Sequence, residues 1–298
     1  MKNILLIGGG GFLGKHLINA FNEDQYNKIF VLNKTEHADF KTEKTFIGDI
    51  GDASFLANSI AEAKPDLIYY LITEFSLNSM DEYVNAVKSS VINLNKFFQC
   101  LNPDIRIVYL GSSAQYGRVP FETQPVTEKT GFNPVTNYGV LKAFEEIQIR
   151  QLSERINADM IIARIFNVTG PGEPVRMVGG AFVSQLIKGN MIEVGNLFPK
   201  RDFLDIRDVA DALKIIGIDG KPWNVYNICS GKSISIKDYL GIIINVMDCE
   251  PEIIKSSDRI NKIEIDDLVG DNNKLRDLGW EARYSLDQSV KDLVESYR

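Results

Sequence analysis

Four consecutive glycines, Gly8 to Gly11, constrain this chain more than any other feature. They follow Ile4-Leu-Leu-Ile7, an apolar run of the length of one buried strand. They precede Phe12-Leu13-Gly14 and an apolar periodicity at Leu13, Leu17, Ile18 and Phe21 that predicts a helix. Strand, glycine turn and helix in that order present unsatisfied N–H groups and the positive end of a helix dipole, which attract phosphate. Gly8 is expected to make the tight turn, Gly11 to let a pyrophosphate approach the backbone, and Gly14 to let the helix pack on the strand. Two spacings fit, Gly8-x-x-Gly11-x-x-Gly14 and Gly9-x-Gly11-x-x-Gly14. The loop is therefore expected to bind a dinucleotide, against the plainer reading of a glycine-rich turn in some other α/β domain.

The first half of the chain keeps the rhythm that this opening sets. Strand-like runs at Lys28–Leu32, Lys44–Ile47, Leu67–Ile72, Ile105–Leu110 and Ala158–Ile165 alternate with helical stretches. The helical stretches are Ser54–Ala63, about Asp81–Cys100, and one from Asn137 past Arg150. Such alternation calls for a parallel sheet covered on both faces. From Asn167 onward the rhythm weakens, broken by Gly170-Pro-Gly172 and Gly179-Gly180. Shorter segments follow: helices at Ala181–Lys188 and Asp208–Ile216, strands at Arg201–Asp205 and Val225–Ile228, and helices at Ile236–Met247 and Leu286–Tyr297. The fold expected is α/β, a Rossmann-like doubly wound parallel sheet with a smaller mixed α/β C-terminal substrate domain. The boundary is expected at residues 166/167 of the 298, with segments in 203–228 returning to the first domain.

A net charge of −7 speaks against nucleic acid as a partner, so an anionic ligand must be held by local donors. Cys100, Cys229 and Cys249 are odd in number and widely spaced, as expected of reduced thiols in a cytoplasmic protein without a metal site. The apolar start is too short for a signal peptide, and no apolar run reaches membrane-spanning length. With His16 and His37 the only histidines, a general acid must be Tyr, Lys, Asp or Glu.

Two further stretches carry chemistry. The second strand ends at Leu32-Asn33-Lys34, where an acidic residue would accept from the ribose 2′-OH and a basic one would tolerate a 2′-phosphate. Asn33 is uncharged and Lys34 positive, which leans towards NADP; a solvated turn is the alternative. Asp49 and Ile50, after Gly48, are expected near the adenine. Tyr138-Gly-Val-Leu-Lys142 places a phenol and an ammonium four residues apart on one helix face. A nearby cation stabilises the phenolate and brings a tyrosine, whose free pKa is about 10, towards working pH.

Taken with Gly48-Asp49, Gly111-Ser-Ser-Ala-Gln-Tyr-Gly117 and Pro134-x-x-x-Tyr138-x-x-x-Lys142, the chain resembles the extended short-chain dehydrogenases/reductases that act on nucleotide sugars. Arg164-Ile-Phe-Asn-Val-Thr-Gly-Pro-Gly172, Arg201-Asp-Phe-Leu-Asp-Ile-Arg-Asp208, Tyr226-Asn-Ile-Cys-Ser-Gly231 and Asp271-Asn-Asn-Lys-Leu-Arg-Asp-Leu-Gly-Trp280 extend the resemblance nearly end to end. It implies that Ser112 holds the reacting sugar oxygen, Tyr138 is the acid/base, and Lys142 tunes Tyr138 and binds the nicotinamide ribose. Gly8, Gly11, Phe12, Leu13, Gly14, Asn33, Lys34, Asp49 and Ile50 would hold the dinucleotide. Ser113, Asn167, Arg201 and Arg259 would meet the substrate, Arg201 by the paired fork with which guanidinium grips phosphate. No metal is implied.

The departures narrow the reaction. Members that dehydrate the sugar carry carboxylates directly after the residue matching Ser112; here Ser113 and Ala114 stand there, and neither can remove a C5 proton. Reduction of a 4-keto group or 4-epimerisation remains. Val194-Gly-Asn196 and Leu268-Val-Gly-Asp-Asn272 look most like the reductases of 4-keto-6-deoxyhexoses derived from GDP-mannose, although Asn261 stands where those carry arginine and Tyr70-Leu71-Ile72-Thr73 replaces their usual strand end. The expected function is NAD(P)H-dependent reduction of a nucleoside-diphosphate 4-keto-6-deoxyhexose, with NADP favoured and NAD the alternative. A 4-epimerase with retained NAD is the second expectation and a non-catalytic dinucleotide sensor the third, the latter disfavoured by the Ser112, Tyr138 and Lys142 trio. The resemblance also implies a homodimer through the helices at Asp81–Cys100 and Tyr138–Arg150.

Overall fold

The computed structural model describes residues 2–23, 27–36, 41–74, 77, 79–103, 105–256 and 265–298. The strands, in chain order, are β1 (Asn3–Ile7), β2 (Lys28–Asn33), β3 (Lys44–Ile47), β4 (Leu67–Tyr70), β5 (Arg106–Ser112) and β6 (Asp159–Ile165), then β7 (Asn167–Thr169), β8 (Met191–Val194), β9 (Lys200–Asp205), β10 (Val225–Ile228), β11 (Ser233–Ser235) and β12 (Glu252–Lys255). The helices are α1 (Phe12–Asn22), α2 (Ala53–Ala63), α3 (Met80–Gln99), α4 (Asn137–Arg155), α5 (Val178–Lys188), α6 (Ile206–Asp219), α7 (Ile236–Met247), α8 (Asn273–Arg276) and α9 (Leu286–Glu295).

Seven strands form one parallel sheet in the order β10-β6-β5-β4-β1-β2-β3. The direction of winding reverses between β1 and β4. A crevice opens at such a reversal, outside the carboxyl ends of the strands, and ligands of open α/β sheets bind there. The strands are apolar on both sides because both faces are covered. Leu17 and Phe21 of α1 join Val209, Leu213 and Ile216 of α6 on one face. Leu56 and Ile60 of α2, Leu94 and Phe97 of α3, and Ile149 and Leu152 of α4 cover the other. Each such side chain contributes roughly 1.5–3 kcal/mol by leaving water.

The C-terminal part has its own small core, in which Phe182, Val183, Phe203, Tyr239 and Leu293 meet. Its strands form a three-stranded sheet, β11-β9-β7, and a two-stranded one, β12-β8. β10 leaves this part and pairs in parallel with β6 at the edge of the main sheet.

Caps fix the ends of the helices that carry the site. Ser79 and Glu82 form a reciprocal capping box on α3, which satisfies two orphan N–H groups. Thr136 accepts from Gly139 N at 3.0 Å and starts α4. A side chain at Gly139 would collide with the Ala114 carbonyl, so glycine is what lets the first turn of α4 close on the end of β5.

Candidate active site

The turn after β1 is built as a cradle. Gly8 lies at φ +84°, a conformation that side chains resist. A methyl on Gly14 would overlap the Gly9 carbonyl, so α1 lies against the turn with no room to spare. Gly11 is the N-cap of α1, without a side-chain cap and without an acidic residue in the first turn. A Cβ built on Gly11 meets only Gly8 O, at 3.6 Å, an ordinary contact. The fold does not require glycine there, and the absence of a side chain leaves the backbone open to close approach.

The end of β2 supports the same cradle. Asn33, 4% exposed, accepts the Gly10 N–H on its side-chain oxygen at 2.8 Å. Its Nδ2 is buried without a hydrogen-bond partner, and orphan donors of this kind are costly unless a ligand fills them. Lys34 pairs with Asp49 at 3.0 Å on the surface, both side chains more than half exposed. Asp49 also accepts from Gly51 N, and that bond and Lys34 hold its carboxyl below the usual range. Both charges expected to meet the adenosine end are therefore engaged with each other. Ile50 turns its side chain into the hydrophobic core.

A cavity of about 480 Å³ opens along the carboxyl ends of β1, β5 and β6. Gly11, Phe12 and Leu13 form one wall, Ser112 and Ser113 another. Tyr138, Asn167 and Arg201 complete the expected residues that reach it. Arg259 lies outside the described residues, as does His37. Among the described residues that line the cavity, the ionisable side chains are Tyr138, Arg176 and Arg201. None is a carboxylate.

Ser112 ends β5, and its hydroxyl oxygen accepts from Ala114 N at 3.2 Å, which leaves the hydroxyl proton to donate. Its backbone N–H donates to Gln115 Oε1 at 3.1 Å, and Gln115 Nε2 donates to Glu146 of α4. Glu146, 1% exposed, is held by Arg164 at 2.7 Å and Arg150 at 2.8 Å. Burial opposes its ionisation, but the guanidinium groups outweigh burial and keep its pKa below the usual glutamate value. The end of β5 and the helix that carries Tyr138 are thus tied together beneath the cavity.

Lys142 is placed differently from Tyr138. It is 1% exposed and does not line the cavity. Its ammonium donates to Tyr109 Oη at 2.8 Å and to Glu145 Oε2 at 2.9 Å, one turn along the same helix. Arg201 spans from Lys200 O to Ile265 O, each at 2.7 Å, where it faces the cavity from β9.

Sequence reasoning missed Arg176, a second guanidinium at the cavity, and the buried groups beneath it: Tyr109, Gln115, Glu145 and Glu146. Arg176 was within reach, as a lone cation between Pro174 and the Gly179-Gly180 break. The buried groups come from β5, the turn after it and α4, and carry no local signal.

The model of the NAD dependent epimerase/dehydratase family matches residues 4–229. The GDP-6-deoxy-D-mannose reductase of Pseudomonas aeruginosa is 27% identical over 99% of this chain and 97% of its own length. Among solved structures, the UDP-glucose 4-epimerase of Thermotoga maritima with UDP-glucose superposes with a TM-score of 0.89 at 19% identity, covering 99% of this chain and 98% of that one. RMD from Pseudomonas aeruginosa complexed with NADPH gives 0.84 at 22% identity, covering 99% and 98%. These two likenesses establish the fold.

Proposed function

The chain belongs to the NAD dependent epimerase/dehydratase family, and from that premise we propose that it reduces the 4-keto group of a nucleoside-diphosphate 4-keto-6-deoxyhexose with NADPH. The observation that carries this reading is the cavity's inventory of charge: one phenol, two guanidinium groups and no carboxylate among its described lining residues. A phenol is a proton donor, two guanidinium groups suit a diphosphate, and dehydration of the sugar would need a carboxylate. The 27% identity to a GDP-6-deoxy-D-mannose reductase supports reduction over other single-carbon chemistry.

The dinucleotide fits the residues present. Gly11 has space for a close backbone approach, the α1 N-terminus is uncapped, and Asn33 Nδ2 awaits an acceptor. Gly8, Gly11, Phe12, Leu13 and Gly14 would hold the pyrophosphate, and Asn33 with Lys34 the adenosine ribose and its 2′-phosphate. The nicotinamide, when bound, supplies the hydride.

The chain's own groups manage the oxygen at C4. Ser112 donates a hydrogen bond to it and stabilises charge where it develops. Tyr138 gives it a proton. Arg176 and Arg201 hold the diphosphate, and Asn167 and Ser113 contact the sugar and nucleotide. Residues 1–166, joined by segments of 203–228, hold the dinucleotide and the groups that act on C4, and the rest of 167–298 holds the remainder of the substrate. Val84 and Ile92 on α3 and Phe144 and Ile147 on α4 are exposed apolar side chains, the surface through which two copies would pair. Among the described residues no helix is long and apolar enough to cross a membrane, and we place the protein in the cytoplasm.

The direct test is steady-state oxidation of NADPH with a nucleoside-diphosphate 4-keto-6-deoxyhexose. Turnover supports the reading. Interconversion of 4-epimers without net cofactor consumption would replace it with the retained-NAD epimerase.

A further inference from the structure

Beneath Tyr138 lies a buried polar cluster drawn from three elements. Tyr109 comes from β5, Lys142 and Glu145 from α4, and Ser90 from α3. Glu145 takes three donors: Lys142 at 2.9 Å, Tyr109, and Ser90 Oγ at 2.7 Å. Lys142 lies over the Tyr109 ring, 4.7 Å from its centroid, as well as donating to its hydroxyl. Tyr70 of β4 packs beside Tyr109 with ring centroids 6.0 Å apart. The groups that face the Lys142–Glu145 pair are therefore Tyr70, Tyr109 and Ser90; Tyr138 lies one turn back on the same helix, close enough to Tyr109 for the two to interact electrostatically. Apart from Lys142 itself, none is cationic, so Glu145 is the carboxylate that balances this lysine.

A buried glutamate in this place is not needed to hold α3 on α4, because apolar pairs do that more cheaply. Leu77, Ala86 and Leu141 already form an apolar contact at this junction. What the carboxylate changes is the field. An ammonium alone acts on its neighbours as a full charge; an ammonium paired with a carboxylate at 2.9 Å acts largely as a dipole, whose influence falls off faster with distance. It also fixes the ammonium: two of its three N–H groups are committed to Tyr109 and Glu145, which sets the direction of the third.

We propose that Glu145 is a positioning residue of the acid/base pair: held by Tyr109 and Ser90, it anchors the Lys142 ammonium and limits how much of its charge reaches Tyr138. This rests on the reading of Tyr138 as the proton donor. Burial opposes ionisation of Glu145, yet Lys142 and the hydrogen bonds from Tyr109 and Ser90 more than offset it, so the carboxylate is charged at neutral pH. Tyr109 is pushed up by burial and then by Glu145, so it stays a phenol and does not compete with Tyr138 for ionisation.

The test is a pair of variants. Glu145→Gln keeps the size of the side chain and its hydrogen bonds with Tyr109 and Ser90 but removes the charge. The phenolate of Tyr138 then gains the full attraction of Lys142, and the alkaline limb of kcat/KM, where the donor loses its proton, moves down by roughly one pH unit. Glu145→Asp keeps the charge and leaves the limb within a few tenths of the wild type. Ultraviolet titration of tyrosine ionisation, with Tyr138→Phe in the same background as blank, reads the same shift without substrate. An active Glu145→Gln enzyme with an unmoved limb, or an unmoved phenolate titration, overturns the assignment, even if the variant melts earlier. A protein inactive on every nucleotide sugar but showing the titration shift overturns the reaction proposed above and upholds the role of Glu145.

Discussion

The backbone N–H of Gly10 donates to the side-chain oxygen of Asn33 at 2.8 Å, which joins the glycine turn to the end of the second strand and leaves Asn33 Nδ2 buried without a partner. This bond shapes the cradle, and on the proposed reading the free amide donor of the same residue would meet the dinucleotide. Asn33→Asp keeps the oxygen that Gly10 needs and replaces the donor with a second negative oxygen. It should lower the NADPH:NADH affinity ratio by about tenfold or more, because a carboxylate repels a 2′-phosphate and accepts from a free ribose hydroxyl. Calorimetric Kd values for both dinucleotides check this; an unchanged ratio would remove Asn33 from cofactor choice.

On the proposed reading Lys34 would contribute from the surface, exchanging Asp49 for the 2′-phosphate, and both contacts would be screened by salt. Lys34→Glu should therefore reverse the preference at low ionic strength, and the wild-type preference for NADPH should shrink as salt rises. A salt-independent ratio would place the selectivity elsewhere.

Gly11 and Gly14 should respond in opposite ways to the same methyl. Gly11→Ala has room within the chain, so its melting temperature should stay close to that of the wild type while dinucleotide affinity falls. Gly14→Ala drives a side chain into the Gly9 carbonyl and should destabilise the fold by about 1–3 kcal/mol. Thermal denaturation beside calorimetry separates the two. Equal loss of stability in both would mean that the turn is closed by packing alone.

Tyr138→Phe removes only a hydroxyl and should cut kcat by roughly 10²–10⁴-fold, with dinucleotide Kd nearly unchanged. Near wild-type turnover would assign the proton to another group, although no other acid is present among the described residues of the cavity wall.

Glu173 should make stability fall as pH rises. Burial raises its pKa from 4.5 to about 7, against hydrogen bonds that include Gly179 N and Gly180 N at the start of α5. The folded chain thus holds this proton more tightly than the unfolded one. Its contribution is full below about pH 4.5 and is lost by the time pH passes about 7, at most about 3 kcal/mol. Glu173→Gln cannot titrate, so its unfolding free energy between pH 5 and 8 should fall less than that of the wild type. Parallel curves would contradict the shift.

Much of the fold was legible because local pattern and tertiary demand agree. Lys44–Ile47, Val225–Ile228 and Ile236–Met247 are elements with the bounds that apolar runs and periodicity imply. The four-residue β8 and β12 were not legible: Ile253 and Ile254 are exposed, and the strand exists through pairing with a segment some sixty residues away. The site was legible where one short stretch carries the chemistry, as in Gly8–Gly14 and Tyr138–Lys142. It was not where burial decides. Lys142 was legible as the partner of Tyr138, but Glu145 carries no signal along the helix, and only Tyr109 and Ser90, brought from other elements, bury the Lys142–Glu145 pair.

The central claim is hydride delivery to C4 of a keto sugar by a cofactor that is consumed. The most direct measurement is incubation of the protein with NADPH deuterated at the transferred C4 position and a nucleoside-diphosphate 4-keto-6-deoxyhexose, followed by mass spectrometry and NMR of the product. The account predicts one deuteron at sugar C4 and one NADP formed per sugar reduced. Unlabelled product, or epimerised sugar with the added cofactor untouched, would contradict it.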